Sequence, residues 1–396
     1  MPHSMLDRDA AGGRKSRRRV RLRGAALGVA LLCAASAARA DWVPERRRDY
    51  EQRRPNEYLI VPAVASLPGI GVFGGLLVSA SNPGGTGLDV AATVAESLDN
   101  TDIHVQAVAL REVPLYRPYL RLEYQRAHIK LGNLQSYLPG RDSPNYTIPV
   151  TAQFDFQMVR PVLRFWERRI TFTYTLGYFE GFSFDNNGNE VPEASHGASA
   201  NAVLDLTDDV INPTVGIRLF YNTRLPAPEE SFFGRTRHQP GLITNNDVTI
   251  EQYNAAGYVP LGGRFNLALN SQFFQAFGQE SSGRVISGGS PPLRGYPGGR
   301  WKDRFGVFAA SELRYTVPLN YDLDAYLARG IVEGLQWAVF YELGQVAPHN
   351  DSSLFRQMHE SYGAGVRALF QAVVVRFDLA MSDEGRQTHL TIDQHF

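Results

Sequence analysis

Between residues 371 and 381 apolar and polar positions alternate. Val373, Val375, Phe377, Leu379 and Met381 share one face of an extended strand, while Val374, Arg376, Asp378 and Ala380 share the other. The pattern recurs along the chain. Phe265, Leu267, Leu269 and Phe273 oppose Arg264, Asn266, Asn270 and Gln272, and Val215, Ile217, Leu219 and Tyr221 oppose Arg218 and Asn222. Leu335, Trp337, Val339, Tyr341 and Leu343 oppose Gln336, Glu342 and Gly344. Runs of about 8–14 residues with this period, broken by Asn, Asp, Gly and Pro clusters, give about 15 candidate strands between Tyr58 and Phe396.

Alternation fixes the strand but not what the greasy face touches. In a soluble sandwich that face is the core; in an outer-membrane barrel it meets lipid and the polar face lines the lumen. Three features favour the barrel. A basic block, Arg14 to Arg23, precedes the apolar run Ala25 to Ala38 and the small-x-small site Ala38-Arg39-Ala40, so residues 1–40 read as a signal peptide for export through the Sec pathway. Strand runs fill the remaining length without helical crossovers. The chain ends at Phe396 on an alternating strand with Leu390 and Ile392, as bacterial barrels characteristically do.

The fold expected is therefore all-β, a transmembrane antiparallel β-barrel over 57–396, with sixteen strands and fourteen as the alternative, since closed bacterial barrels carry an even number. No run beyond residue 40 reaches 18 apolar residues, which excludes a helical membrane protein. Asn133 to Asn145, Phe184 to Ala200 and Pro226 to Asn245 read as long external loops, and Ser66-Leu67-Pro68-Gly69, Gly84-Gly85-Thr86-Gly87 and Gly262-Gly263 as tight turns. Tyr178, Phe179, Tyr258 and Trp301, near strand ends, read as interface girdles.

Charge adds one exclusion. The first 40 residues hold nine of the 40 basic and two of the 40 acidic residues, leaving 31 − 38 = −7 beyond them, with Lys130 and Lys302 as the only lysines there. That balance argues against a nucleic-acid partner. The single cysteine, Cys33, lies within the signal, so cleavage after Ala40 leaves neither disulfide nor thiol chemistry. Residues 41–56, with Arg46, Arg47, Arg48, Arg53 and Arg54, form a short basic periplasmic segment, read as a solvated tail or an arm on anionic lipid.

One stretch carries more than rhythm. Pro291-Pro292-Leu293-Arg294-Gly295-Tyr296-Pro297 leads into a strand with Glu312-Leu313-Arg314-Tyr315, followed by Phe340-Tyr341-Glu342-Leu343-Gly344. With the terminal Phe396, these resemble the BamA/TamA/FhaC superfamily of outer-membrane barrels, the bacterial surface antigen family. There a [Val/Leu]-Arg-Gly-[Phe/Tyr] loop tip precedes the twelfth strand and a Phe-x-Asp-x-Gly motif lies on the thirteenth. The resemblance is strongest over 246–396. It implies that the loop folds into the barrel and that Arg294 pairs with Glu342 on the inner wall, here one methylene longer than the family's aspartate.

Parity independently places Glu342, Glu312 and Arg314 on polar faces, and an arginine fork suits a waiting carboxylate. Leu293, Arg294, Gly295, Tyr296, Glu312, Phe340, Glu342 and Gly344 are thus the expected lumen loop and lock, with Gly295 allowing a tight tip and Gly344 leaving room on the wall. Family members that insert or secrete proteins carry POTRA domains of roughly 75 residues before the barrel; the space between Ala40 and Tyr58 holds none, so the chain resembles a POTRA-less branch.

Other clusters are weaker. Asp185-Asn186-Asn187-Gly188-Asn189-Glu190 offers oxygen ligands without a full calcium loop, and His359-Glu360 lacks a second histidine at zinc spacing. Neither calls for a metal, and no cofactor is expected. Ser195-His196, read on a loop, would serve a barrel hydrolase only with other partners, because adjacent strand residues point to opposite faces. The resemblance implies outer-membrane biogenesis, the insertion or translocation of protein or lipid, with no enzyme activity. A passive pore for small solutes and a barrel hydrolase are the alternatives. Outer-membrane lipid is the expected partner; a client protein, a periplasmic partner and homo-oligomerisation stay open.

Overall fold

The computed structural model describes residues 56–67, 71–99, 102–116, 119–137, 140–142, 147–184, 190–225, 230–235, 249–277, 286–288, 293–370 and 374–392. The signal peptide, all of the basic segment but Asn56, the Asp185–Asn189 run and Phe396 lie outside these residues. One antiparallel sheet contains sixteen strands in chain order. They are β1 (Glu57–Leu67), β2 (Gly71–Ser81), β3 (Asp89–Ser97), β4 (Ile103–Tyr116), β5 (Leu120–Tyr137), β6 (Thr147–Phe165), β7 (Ile170–Phe184) and β8 (Glu190–Asp205). There follow β9 (Gly216–Leu225), β10 (Thr249–Gly262), β11 (Phe265–Phe277), β12 (Phe305–Ala325), β13 (Ala328–Ala347), β14 (His359–Phe370), β15 (Val374–Ser382) and β16 (Gly385–Ile392).

The sheet closes on itself at one place. Tyr58 and Leu59 of β1 pair with Arg329 and Ala328 at the tip of the long β12–β13 hairpin, and the Ile60 N–H donates to the Leu327 carbonyl at 2.8 Å. Thirteen strands form this hydrogen-bonded ring and β14, β15 and β16 continue beyond it. The rest of β1 runs beside β16, with Cα atoms within 8 Å, yet no ladder joins the two among the described residues.

The exposed and buried faces decide between sandwich and barrel. Trp337, Val339, Phe377 and Leu379 are 44%, 54%, 43% and 47% exposed, while Gln336, Glu342, Arg376 and Asp378 on the alternate positions are buried. A soluble fold would do the reverse, because the hydrophobic effect drives such apolar rows inward unless the surroundings are themselves apolar. The wall therefore shows its greasy stripe to the outside.

Several expectations need correction. Of the residues read as girdles, Tyr258 is buried on the inner face near Arg314, Phe179 packs on Phe156, and Trp301 stacks on His359. Tyr178 is covered by Phe233 and Gly234 of the short Glu230–Arg235 hairpin. Outward aromatics at strand ends are instead Tyr116, Tyr119, Phe165, Trp166, Tyr321 and Tyr326. The loops are also shorter than polarity suggested: β5 continues to Tyr137, and β8 begins at Glu190, paired with Phe184. Polar residues there extend strands because ladder hydrogen bonds do not depend on side-chain polarity. At the turns, Gly84, Gly85, Gly87, Gly262 and Gly263 adopt positive φ, as tight connections require.

Candidate functional site

The segment from Leu293 to Arg300, part of the connection from β11 to β12, makes two turns, closed by Tyr296 N–H donating to the Leu293 carbonyl and Arg300 N–H to that of Pro297. Leu293 is fully buried in an apolar cluster with Phe274, Tyr296, Trp301, Phe308 and Val346. Fixing Leu293 there aims the next side chain, Arg294, at the buried face of the wall.

Arg294 meets carboxylates from three strands. Its Nε donates to Glu342 Oε1 on β13 at 2.6 Å, and its Nη1 donates to Glu312 Oε1 on β12 and to Asp378 Oδ2 on β15, both at 2.8 Å. Its backbone N–H donates to Glu342 Oε2 at 2.7 Å, and its guanidinium carbon lies 3.4 Å from the centre of the Phe340 ring. Arg294 is 1% exposed, and Glu312, Glu342 and Asp378 are fully buried. Charge-assisted bonds of this kind are short and strong, and with water excluded they tolerate little misplacement.

Each carboxylate is held in turn. Glu312 accepts from Arg314 and Arg367, and Asp378 lies 3.2 Å from Arg376 Nε. Ser361 of β14 donates to Glu342 at 2.9 Å and accepts the Gly295 N–H at 2.7 Å. Four guanidinium groups, Arg294, Arg314, Arg367 and Arg376, thus share three carboxylates. Ser361 and Asp378 share this face by parity on strands whose polar stripe also carries Arg367 and Arg376.

The loop is tied at further points. Ser382 donates to the Gly295 carbonyl and His389 of β16 to that of Arg294, at 2.8 and 2.7 Å. Tyr296 donates to Asp383 at 2.6 Å, and Arg300 grips Glu384 through Nε and Nη2, so both residues of the β15–β16 turn hold the loop. Burial, then the bond to Asp383, raises the Tyr296 pKa above its ordinary value, keeping the phenol a protonated donor.

The two glycines work through close approach. A Cβ on Gly344 would lie 2.3 Å from the Phe308 ring and 3.0 Å from Leu293, and one on Gly295 would lie 2.6 Å from the Met381 carbonyl oxygen. Gly295 is therefore needed for contact with the wall rather than for a left-handed turn. Sequence reasoning names Arg294, Glu342 and Glu312. It missed Asp378, Ser361, Ser382 and His389 as partners, although Asp378 stood out on its polar stripe. Ser195 and His196 lie on strand β8 rather than on a loop, and His196 Nε2 lies 2.6 Å from Ser231 Oγ beneath the Glu230–Arg235 hairpin. Chemically the Arg294 site is a set of three carboxylates on three strands that receives the loop's guanidinium.

No protein-family model matches the chain, and no curated protein does. Solved structures do. The chain is similar to BamA from Haemophilus ducreyi lacking POTRA domains 1-3, with a TM-score of 0.52 at 12% identity over 85% of this chain and 69% of that one. CdiB from Escherichia coli gives 0.54 at 14% identity over 86% and 62%, and CdiB from Acinetobacter baumannii 0.53 at 14% over 85% and 59%. This chain therefore spans less than two thirds of either CdiB chain. At such identities the likeness is one of fold: the chain has the barrel fold of BamA and CdiB, members of the superfamily that its Leu293–Tyr296 and Phe340–Gly344 motifs resemble.

Proposed function

We propose that this protein is a bacterial outer-membrane barrel acting in membrane biogenesis, where it inserts or translocates protein or lipid without covalent chemistry. The observation that carries this reading is the pairing of a weakly joined seam with a strongly held loop. β1 and β16 run side by side without a ladder among the described residues, so strand edges are on offer there. The loop that occupies the inner wall contacts β16 itself, through His389 and the Arg294 carbonyl, and the turn before it through Asp383 and Glu384. Its state is thereby coupled to the strand that borders the seam. Arg294 is the lock, with Glu342, Glu312 and Asp378 as its keeper, and release of the lock frees the seam and the lumen together.

The exposed apolar outer wall supports residence in a bilayer. The test is depletion of the protein from its native cells, followed by measurement of outer-membrane protein and lipid content. Biogenesis predicts that both or either fall and that the wild-type gene restores them, while Arg294→Ala restores them only in part. Unchanged composition with slowed entry of small solutes would refute the reading and favour a passive pore.

A further inference from the structure

The β12–β13 hairpin leaves the wall before it ends. The last link from β12 to β11 is the Thr316 N–H donating to the Arg264 carbonyl at 3.0 Å, and β13 first joins β14 where Val332 pairs with Phe370. Residues 319–331 join neither neighbour by a ladder and form a two-stranded ribbon, in register from Asp322 opposite Ile331 to Ala325 opposite Ala328. Such a ribbon is marginal on its own in water, so its order depends on what it rests on. Bulges stand at one level on both strands, between Pro318 and Tyr321 on β12, where Asn320 takes φ 49°, and between Val332 and Gly334 on β13. Bulges bend a strand and increase its twist. Gly334 lets the two strands approach closely there, since a Cβ on it would lie 2.5 Å from the Val317 carbonyl oxygen.

The bent ribbon reaches across the seam. Residues 328–334 cover about 20 Å at about 3.3 Å per residue, and β1 stands four spacings of about 4.8 Å from β13, past β14, β15 and β16. The tip lands on the edge of β1 that β2 leaves open. Tyr58 and Leu59 pair with Arg329 and Ala328, the Ile60 N–H donates to the Leu327 carbonyl at 2.8 Å, and the Tyr58 hydroxyl donates to the Ala325 carbonyl at 3.0 Å. A Cβ on Gly330 would lie 3.0 Å from Glu57 Oε1, so glycine allows this contact. Among the described residues it is the only ladder on that edge of β1.

The contact is also small. β1 holds β2 through eleven register pairs and the ribbon through two. Leu319, Tyr321, Tyr326 and Leu327 stay exposed, so their burial does nothing to keep the ribbon in place. A short ladder at the tip of such a ribbon opens at far lower free energy than the wall. We propose that residues 319–331 form a releasable strap that shuts the seam at the end opposite the Arg294 loop, and that the strap must leave β1 before the seam opens. Lock and strap then restrain the same seam from its two ends, the lock through His389 of β16 and the strap through Tyr58, Leu59 and Ile60 of β1. This rests on the reading of the seam as the working part of the barrel.

The test is a disulfide staple in Cys33→Ser protein. The bond from Ile60 to Leu327 makes Leu59 and Ala328 a pair without mutual hydrogen bonds, whose Cα separation of about 4.5 Å suits a disulfide. Leu59→Cys with Ala328→Cys should oxidise readily in barrels that keep heat-dependent gel migration. In micelles the staple should slow deuterium exchange of the Ile60 amide at least about tenfold, reversibly on reduction, whereas the pair Asp322→Cys with Ile331→Cys inside the ribbon should not. In cells depleted of the natural protein, the stapled chain should fail to restore outer-membrane protein and lipid content until reduced, and the ribbon-internal pair should restore it throughout. An Ile60 amide that exchanges equally slowly without the staple, or a stapled chain that rescues as well as wild type, overturns the strap. Depletion that leaves membrane composition unchanged would instead overturn the biogenesis reading, and the exchange result alone would then decide on the strap.

Discussion

Removing the Arg294 guanidinium by Arg294→Ala should loosen the loop, and the structure says where the cost falls. Glu312 keeps Arg314 and Arg367, and Asp378 keeps Arg376, so the deficit concentrates on Glu342, which loses a charge 2.6 Å from Oε1. Breaking a buried pair from one side costs about 3–5 kcal/mol, and loss of the Phe340 contact adds about 1 kcal/mol. Glu342→Gln should cost a similar amount, because the arginine is then buried beside two carboxylates rather than three. The double variant should fall short of the sum by about 2–3 kcal/mol, since the second change removes a group already without its partner. Denaturant unfolding in micelles measures the cycle, and planar-bilayer conductance reads the loop: both single variants should conduct more than wild type. Additivity within about 0.5 kcal/mol would refute the pairing as an energetic unit.

Arg294→Lys keeps the charge but cannot span three carboxylates, so its unfolding free energy should lie between those of Arg294→Ala and wild type. Gly344→Ala places a methyl against Phe308 and should cost about 1–3 kcal/mol in the same unfolding assay. Gly257→Ala, whose Cβ would meet nothing within 4 Å, serves as its near-neutral control. Ser361→Ala removes bonds to Gly295 and Glu342 and should cost about 1–3 kcal/mol by denaturant melting. Because the folded pKa of Tyr296 is raised, its share of stability is complete below the ordinary tyrosine pKa and is lost as pH rises beyond it. Wild type should therefore lose more stability than Tyr296→Phe when unfolding is followed above about pH 10.

Much of this barrel was legible because period-two alternation survives on strands such as β13 and β15, where Trp337 and Leu379 face out and Glu342 and Asp378 face in. The exposed side of Trp337 and the burial of Glu342 could not be read from alternation, which is identical in a sandwich and a barrel. Loop limits failed for a related reason: Glu190 and Ser195 look like loop residues by polarity, but β8 needs only backbone groups to pair with β7. The Arg294–Glu342 contact came from the resemblance, with parity in support. Asp378, Ser361 and His389 entered only with the structure, because nothing local says which of several inward polar residues a loop 66 to 95 positions away will touch. Tyr258 and Trp301 misled because an aromatic near a strand end is equally suited to an interface and to a cation or histidine face.

Hydrocarbon outside the wall and a sealed loop inside it are both within reach of a tryptophan. Trp337 lies on the outer face at 44% exposure, while Trp301 is 5% exposed against His359 and Arg300. In single-tryptophan variants reconstituted into vesicles, brominated lipids should quench Trp337 strongly, and neither they nor aqueous iodide should quench Trp301. Quenching of Trp337 by iodide but not by brominated lipid would contradict the account.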